Sequence, residues 1–175
     1  VLEAFPPVAD GRSRLLVLGS MPGAVSLAKR QYYGHPRNAL WPILYRLLAA
    51  REPDESYEQR VDFALAHGVA LWDVLRACER EGSLDSAIRE PEANEFGAFF
   101  ARYPGIRHII FNGKAAAELF RRHVKLPPPP AADGTAAMLP LTLHTLPSTS
   151  PALTMPLDRK CQAWAAAFEA AGLRV

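Results

Sequence analysis

Four short, largely apolar runs recur along the chain, over residues 14–18, 69–74, 108–111 and 141–145, and each is closed by a polar or turn-forming residue. Their length and the glycine, asparagine, aspartate or proline behind them predict buried β-strands. Between them the apolar period lengthens. Over 38–50 it falls on Leu40, Ile43, Leu44, Leu47 and Leu48, and over 57–67 on Val61, Ala64 and Leu65 before Gly68 stops it. Both read as helices. Further helices are predicted over 92–102, 113–123 and 156–171, the last ended by Gly172. Strand alternating with helix implies a mostly parallel sheet covered on both faces, the doubly wound α/β class. The stretch 126–137 holds four consecutive prolines followed by alanine, aspartate, glycine and threonine, so it continues neither flanking element and reads as a stiff surface connection.

At 175 residues, 49% hydrophobic and 22% charged, the chain suits one folded domain over 1–175. Arg, His or Asp interrupts every apolar stretch well before the ~20 residues of a bilayer span, so no membrane partner is expected. The amino end has no charged segment followed by an apolar run, and a cytoplasmic, nucleoid-associated protein is expected. Cys78 and Cys161 stand far apart with no histidine at ligand spacing. They read as buried apolar residues, against a zinc site, an iron–sulfur cluster or a disulfide framework, and no metal or cofactor is expected. A net charge of +2 says little about partners by itself. Lys29, Arg30, Arg37, Arg46, Lys114, Arg121, Arg122 and Arg159 lie in or near the loops considered next and allow a modest phosphate-binding face.

In open parallel sheets ligands bind beyond the carboxyl ends of the strands. The four predicted strands deliver Gly19-Ser20-Met21-Pro22-Gly23, then Asp73, then Asn112-Gly113, then Leu146-Pro147-Ser148-Thr149-Ser150-Pro151 to that edge. The first loop lacks the Lys-Ser/Thr of a Walker loop and the spacing of a dinucleotide site, which disfavours nucleoside triphosphates. No Gly-x-Ser-x-Gly elbow is present, which disfavours an α/β hydrolase. The stretch from Gln31 to Trp41 gathers Tyr32, Tyr33, His35, Arg37, Asn38 and Trp41 around a helix start. That is more recognition chemistry than a connector needs.

These segments, together with Ser26-Leu27, Trp72-Asp73-Val74 and Gly82-Ser83-Leu84-Asp85, resemble the hypoxanthine-DNA glycosylase (DNA-deoxyinosine glycosylase) branch of the uracil-DNA glycosylase superfamily, in the same order from about residue 14 to 170. The resemblance implies a three-layer fold with a four-stranded parallel sheet, and excision of a deaminated base flipped out of damaged DNA. It makes Asn38 the expected catalytic residue, its amide oxygen placing water or supporting the sugar cation; its alternative is to cap the following helix. Gly19, Ser20, Met21, Tyr33, Trp41, Asp73 and Asn112 are expected around the base. Pro22, Gly23, His35, Arg37, Lys114, Pro147, Ser148, Thr149 and Ser150 are expected on DNA.

Asp73 stands where uracil-specific relatives carry a base-reading asparagine, and its protonation state matters because a charged carboxylate opposes an anionic leaving base. An Asp73 bonded to loop amides is the alternative, as helix capping is for Asn112 and core packing for Tyr33 and Trp41. The first loop has Ser20 and Met21 where those relatives have a water-orienting aspartate, and slower chemistry is expected. Leu146 replaces the histidine that opens the last loop in related enzymes, and His144 is a poor substitute. Lys114 fits phosphate contact better than attack on the sugar. A monomeric, monofunctional enzyme without strand-nicking activity is expected. The alternatives are a uracil- or xanthine-excising enzyme of the same fold and a catalytically silent DNA- or nucleotide-binding module.

Overall fold

A computed structural model of the chain describes residues 1–126 and 140–173. Apart from Leu126, the proline-rich stretch 126–137 lies outside the described residues. Strands β2 (Leu15–Gly19), β3 (Val69–Asp73), β6 (His108–Asn112) and β7 (Thr142–Leu146) form one parallel sheet in the order β3-β2-β6-β7. Val17 lies level with Leu71 on one side and Ile110 on the other.

Leu15, Leu16, Val17 and Leu18 are all fully buried, because alternate side chains leave on opposite faces and both faces are covered. Leu15, Val17, Leu71 and Ile110 pack with helices α2 (Leu40–Ala49), α3 (Tyr57–Ala66) and α6 (Leu157–Ala170). Leu16, Leu18, Trp72, Ile109 and Phe111 pack with α4 (Phe96–Arg102) and α5 (Lys114–His123). The result is the three-layer α/β fold expected.

A second sheet was not legible in the apolar pattern. Strands β1 (Leu2–Glu3), β4 (Leu75–Glu79) and β5 (Arg89–Ala93) pair antiparallel in the order β1-β4-β5. Only Val74 separates β3 from β4, so one extended run passes from the large sheet into the small one. As it leaves, the Val74 and Leu75 amides donate to the carbonyls of Gly19 and Ser20 at 2.8 and 3.1 Å, which holds the loop after β2 against the end of β3. The helix expected over 92–102 therefore starts only at Phe96, because residues up to Ala93 are drawn into pairing with β4. A short helix, α1 (Ala24–Lys29), follows the first loop.

Candidate active site

The carboxyl ends of the parallel strands open onto a cavity of about 400 Å³. That is within the ~300–1,000 Å³ of small-molecule sites. Its floor is set by Gly19, the last residue of β2. A Cβ at this position would lie 2.5 Å from Asp73 Oδ1 and 3.3 Å from the Tyr33 hydroxyl. Glycine lets both side chains close over the strand end. Asp73 is 4% exposed, and neither its Oδ2 nor the buried Tyr33 hydroxyl has a hydrogen-bond partner among the described residues.

Burial raises the Asp73 carboxyl to about 7, helped by the negative charge of Asp85 and opposed by Arg80. Burial likewise pushes the Tyr33 hydroxyl well above the ordinary tyrosine range, with Asp73 adding to the shift and the nearby Asn112 amide, whose two ends are already bonded to Thr149, opposing it. Buried polar groups in folded proteins are paired in the great majority of cases, so two unpaired ones at a cavity floor point to a ligand that pairs with them. Tyr33 reaches this position from a left-handed backbone conformation, φ 55°, which is unfavourable for a bulky residue and is associated with functional turns.

His35 and Asn38 stand on the wall contributed by the connection to α2. The Arg37 amide donates to His35 Nδ1 at 3.0 Å, which leaves the ring proton on Nε2 and makes that nitrogen a donor. Asn38 Oδ1 accepts the Leu40 amide at 3.0 Å, capping the turn that leads into α2, whose own N-cap residue is Ala39. An amide oxygen has two lone pairs and the NH₂ two protons, so capping does not exhaust the group.

The wall opposite is the first loop. The Ser20 hydroxyl donates to Asp85 Oδ1, Ser83 Oγ accepts the Ala24 amide at 2.8 Å, and Arg80 Nη2 donates to the Pro22 carbonyl at 2.6 Å. All three partners come from the β4–β5 connection. Through the first contact a carboxylate reaches a loop that has none of its own. In the sequence Asp85 stands out only as the end of Gly82-Ser83-Leu84-Asp85. The signal that could have singled it out is its place in the connection of the small sheet, visible once β4 and β5 are paired.

The last loop is tied down from behind. Asn112 Nδ2 donates to Thr149 Oγ1 and Asn112 Oδ1 accepts the Thr149 amide, both at 2.9 Å, so Asn112 holds this loop with both ends of its amide. The Thr149 carbonyl accepts the Ala39 amide at 2.9 Å, joining the loop to the start of α2. Gly113, φ 96°, lies where a Cβ would meet Ser148 Cβ at 3.1 Å. From α6, Trp164 Nε1 donates to the Pro147 carbonyl at 3.0 Å, and the Lys160 ammonium donates to the carbonyls of Ser150 and Leu153 at 3.2 and 2.9 Å.

Of the residues expected at the site, Gly19, Ser20, Met21, Pro22, Gly23, Tyr33, His35, Asn38, Asp73, Asn112, Ser148, Thr149 and Ser150 line the cavity. Trp41, expected against the base, does not. It is 2% exposed, its Nε1 donates to the Tyr32 carbonyl at 3.0 Å, and its ring meets Tyr57 edge to face. The first turn of α2 directs it into the core alongside Leu40, Ile43 and Leu44. Tyr33 and Met21 do line the cavity.

Lys114 is exposed and borders a separate groove with Phe111, Glu118 and Phe120, while Arg37 and Pro147 lie off the cavity wall. Cys78 and Cys161 are free and buried, and no group of three or more His, Cys, Asp and Glu side chains among the described residues could hold a metal ion.

The ends of the parallel strands thus converge on one polar-floored cavity rimmed by a serine- and threonine-rich loop, the arrangement of an α/β protein with its ligand site at the strand ends. The model of the uracil DNA glycosylase superfamily matches residues 6–172, and the chain belongs to that superfamily. It is 38% identical over 116 residues to a hypoxanthine DNA glycosylase of Methanosarcina barkeri, covering 66% of this chain and 73% of the relative. The hypoxanthine DNA glycosylase of Methanosarcina acetivorans is 37% identical over 118 residues, covering 67% and 75%. In structure the chain resembles a Methanosarcina acetivorans protein solved by solution NMR and provisionally named a uracil DNA glycosylase, with a TM-score of 0.75, 32% identity and coverage of 97% and 98%.

Proposed function

We propose that the chain is a monofunctional DNA glycosylase that hydrolyses the N-glycosidic bond of a flipped, deaminated base, with hypoxanthine as its substrate. The observation that carries this reading is the pair of unpartnered buried groups, Asp73 Oδ2 and the Tyr33 hydroxyl, on the floor of a cavity at the strand ends. Hypoxanthine presents a lactam edge with one N–H and one carbonyl. A protonated Asp73 carboxyl offers both a donor and an acceptor to such an edge, and the Tyr33 hydroxyl offers a further donor.

A neutral carboxyl also removes the charge conflict with an anionic leaving base, because its hydrogen bond strengthens as negative charge grows on the base oxygen. Asn38 supports the sugar as it becomes cationic and orients the attacking water through its uncommitted lone pair. Ser148, Ser150 and the backbone around them hold the flanking phosphates, as hydroxyl and amide donors do. Two curated relatives named hypoxanthine DNA glycosylase support the choice of base. Lys114 borders another groove, which supports hydrolysis by water over attack by an amine.

The test is release of base from duplexes carrying deoxyinosine, deoxyuridine or deoxyxanthosine, read as alkali-sensitive strand cleavage. Deoxyinosine is expected to react fastest, without cleavage before alkali and without an adduct trapped by borohydride. Asn38→Ala is expected to lower the rate by about a hundredfold or more while retaining lesion binding. Binding of lesion DNA by the wild type with no base released would instead favour a silent binding module.

A further inference from the structure

The cavity holds two carboxyl groups in opposite settings. Asp73, at the end of β3, is almost wholly buried and its Oδ2 meets no partner. Asp85, in the 3₁₀ turn between β4 and β5, is exposed and accepts the Ser20 hydroxyl through Oδ1. Ser20 is 8% exposed and belongs to the loop after β2, so the bond runs from the small sheet's connection to the edge of the large sheet. The same connection is fastened to this loop by Ser83 and by Arg80, which makes the position of Asp85 a built one.

Hydrolysis needs a group that can take a proton from water. Asn38 can orient water, but an amide is not basic. His35 Nδ1 already accepts the Arg37 amide and Nε2 bears the ring proton, so that ring is a donor. The Tyr32 and Tyr33 hydroxyls are held protonated by burial. When two carboxyl groups in one site have unlike environments, the buried one suits the role of acid and the solvated one that of base. Asp85 is the cavity-lining group whose second oxygen remains available for a proton.

We propose that Asp85, tethered by Ser20, is the general base that takes the proton from the attacking water. This rests on the glycosylase reading above. The water oxygen bonds to the sugar C1′ as the C1′–N bond breaks and its electron pair leaves with the base. One water proton passes to Asp85 Oδ2. The base anion, hydrogen-bonded to Asp73, then takes a proton from solvent, and Asp85 returns its own to solvent. The negative charge of Asp85 also favours the cationic sugar during the same step.

Single-turnover excision from a deoxyinosine duplex, with affinity for the same duplex measured in parallel, tests the assignment. Asp85→Asn keeps an oxygen to accept the Ser20 hydroxyl but loses the base. Its rate is expected to fall by about a hundredfold, with affinity changed by less than about twofold. Asp85→Glu is expected to recover at least part of the rate. An Asp85→Asn enzyme within about threefold of wild type, or one whose affinity falls as far as its rate, would overturn the assignment.

If Asp85→Asn does not fold, Ser20→Ala decides. Loss of the tether is expected to slow excision by about tenfold at unchanged affinity, and an unchanged rate overturns the proposal. A wild type that releases no base from any lesion removes the glycosylase reading and this assignment together. An active wild type with an equally active Asp85→Asn removes the assignment alone.

Discussion

Asp73 is the residue whose state decides how the pocket behaves with pH. Its folded-state carboxyl, at about 7, lies above the ordinary value of 3.8, so the folded protein binds this proton more tightly than the unfolded chain. The stability tied to it is fully present below about pH 4 and is lost as pH rises toward 7; for a fully buried group the span is on the order of 4 kcal/mol. The groups that act on it are Asp85, which raises it, and Arg80, which lowers it; the Tyr32, Tyr33 and Tyr57 hydroxyls feel its charge in turn.

Asp73→Asn is neutral at every pH. Its unfolding free energy is expected to lose this downward slope between about pH 4 and 7, and its excision rate to lose the decline that ionisation of Asp73 imposes above about pH 7. Chemical denaturation and single-turnover rates across that range check both. A wild-type rate that stays flat from pH 6 to 9 would contradict a neutral carboxyl at the base.

Among the elements, α6 does more than cover the sheet. Lys160 is 3% exposed, burial lowers its ammonium below the usual lysine range, and its two contacts are carbonyls of the last loop. A buried cation without a carboxylate partner contributes little to stability, but its donors fix where that loop stands. Lys160→Met keeps the bulk and removes the donors. Its melting temperature is expected to be equal to or above that of wild type, while affinity for lesion DNA weakens by roughly fivefold or more. Fluorescence anisotropy and a thermal melt separate the two effects, and unchanged affinity would mean that the loop keeps its place without Lys160.

The elements also show where the sequence was readable. β2, β3 and β6 are continuous apolar runs because both of their faces are buried, whereas the strand expected to be buried over 141–145 is the edge strand β7, with no buried residue and Leu143 54% exposed. β4 and β5 carry Arg76, Glu79, Arg89, Glu90 and Glu92 on a sheet with an exposed face, and Pro91 sits within β5, so neither reads as a strand until it is paired. Asp85 was hidden for the same reason, since its loop reaches the cavity only through that pairing. Trp41 misled in the other direction. A residue beside a recognition segment looks like part of a wall until the helix phase turns it inward. Asp73 ends a strand whose type was clear, and Asn38 and Tyr33 lie in the segment that leads into a clearly periodic helix, so all three could be placed near the strand ends.

At the scale of the molecule, three of the eight cations in or near the cavity loops are paired with carboxylates. Arg46 pairs with Asp158 at 2.7 Å, while Arg121 and Arg122 both reach Glu118 at 3.8 Å. These pairs are exposed and weak, but they dilute the positive face suggested by sequence. Affinity for lesion DNA is accordingly expected to fall by roughly ten- to fortyfold between about 50 and 200 mM salt, the slope of two or three neutralised phosphates. A titration at four salt concentrations checks this, and a flat response would count against the serine-rich loop and the basic residues as a DNA face.

The passage of β3 through Val74 into β4 has a consequence for how such a pocket can change. The proposed base-reading groups sit at the end of the large sheet, Gly19 and Asp73, and in the turn before α2, Tyr33, whereas the proposed proton acceptor Asp85 is carried by the small sheet's connection. The two duties are modular: alterations in the large sheet's floor can retune which lesion is accepted, and alterations between β4 and β5 can retune turnover. Selection could therefore act on one with little interference from the other, as long as the single residue joining the sheets keeps both in register.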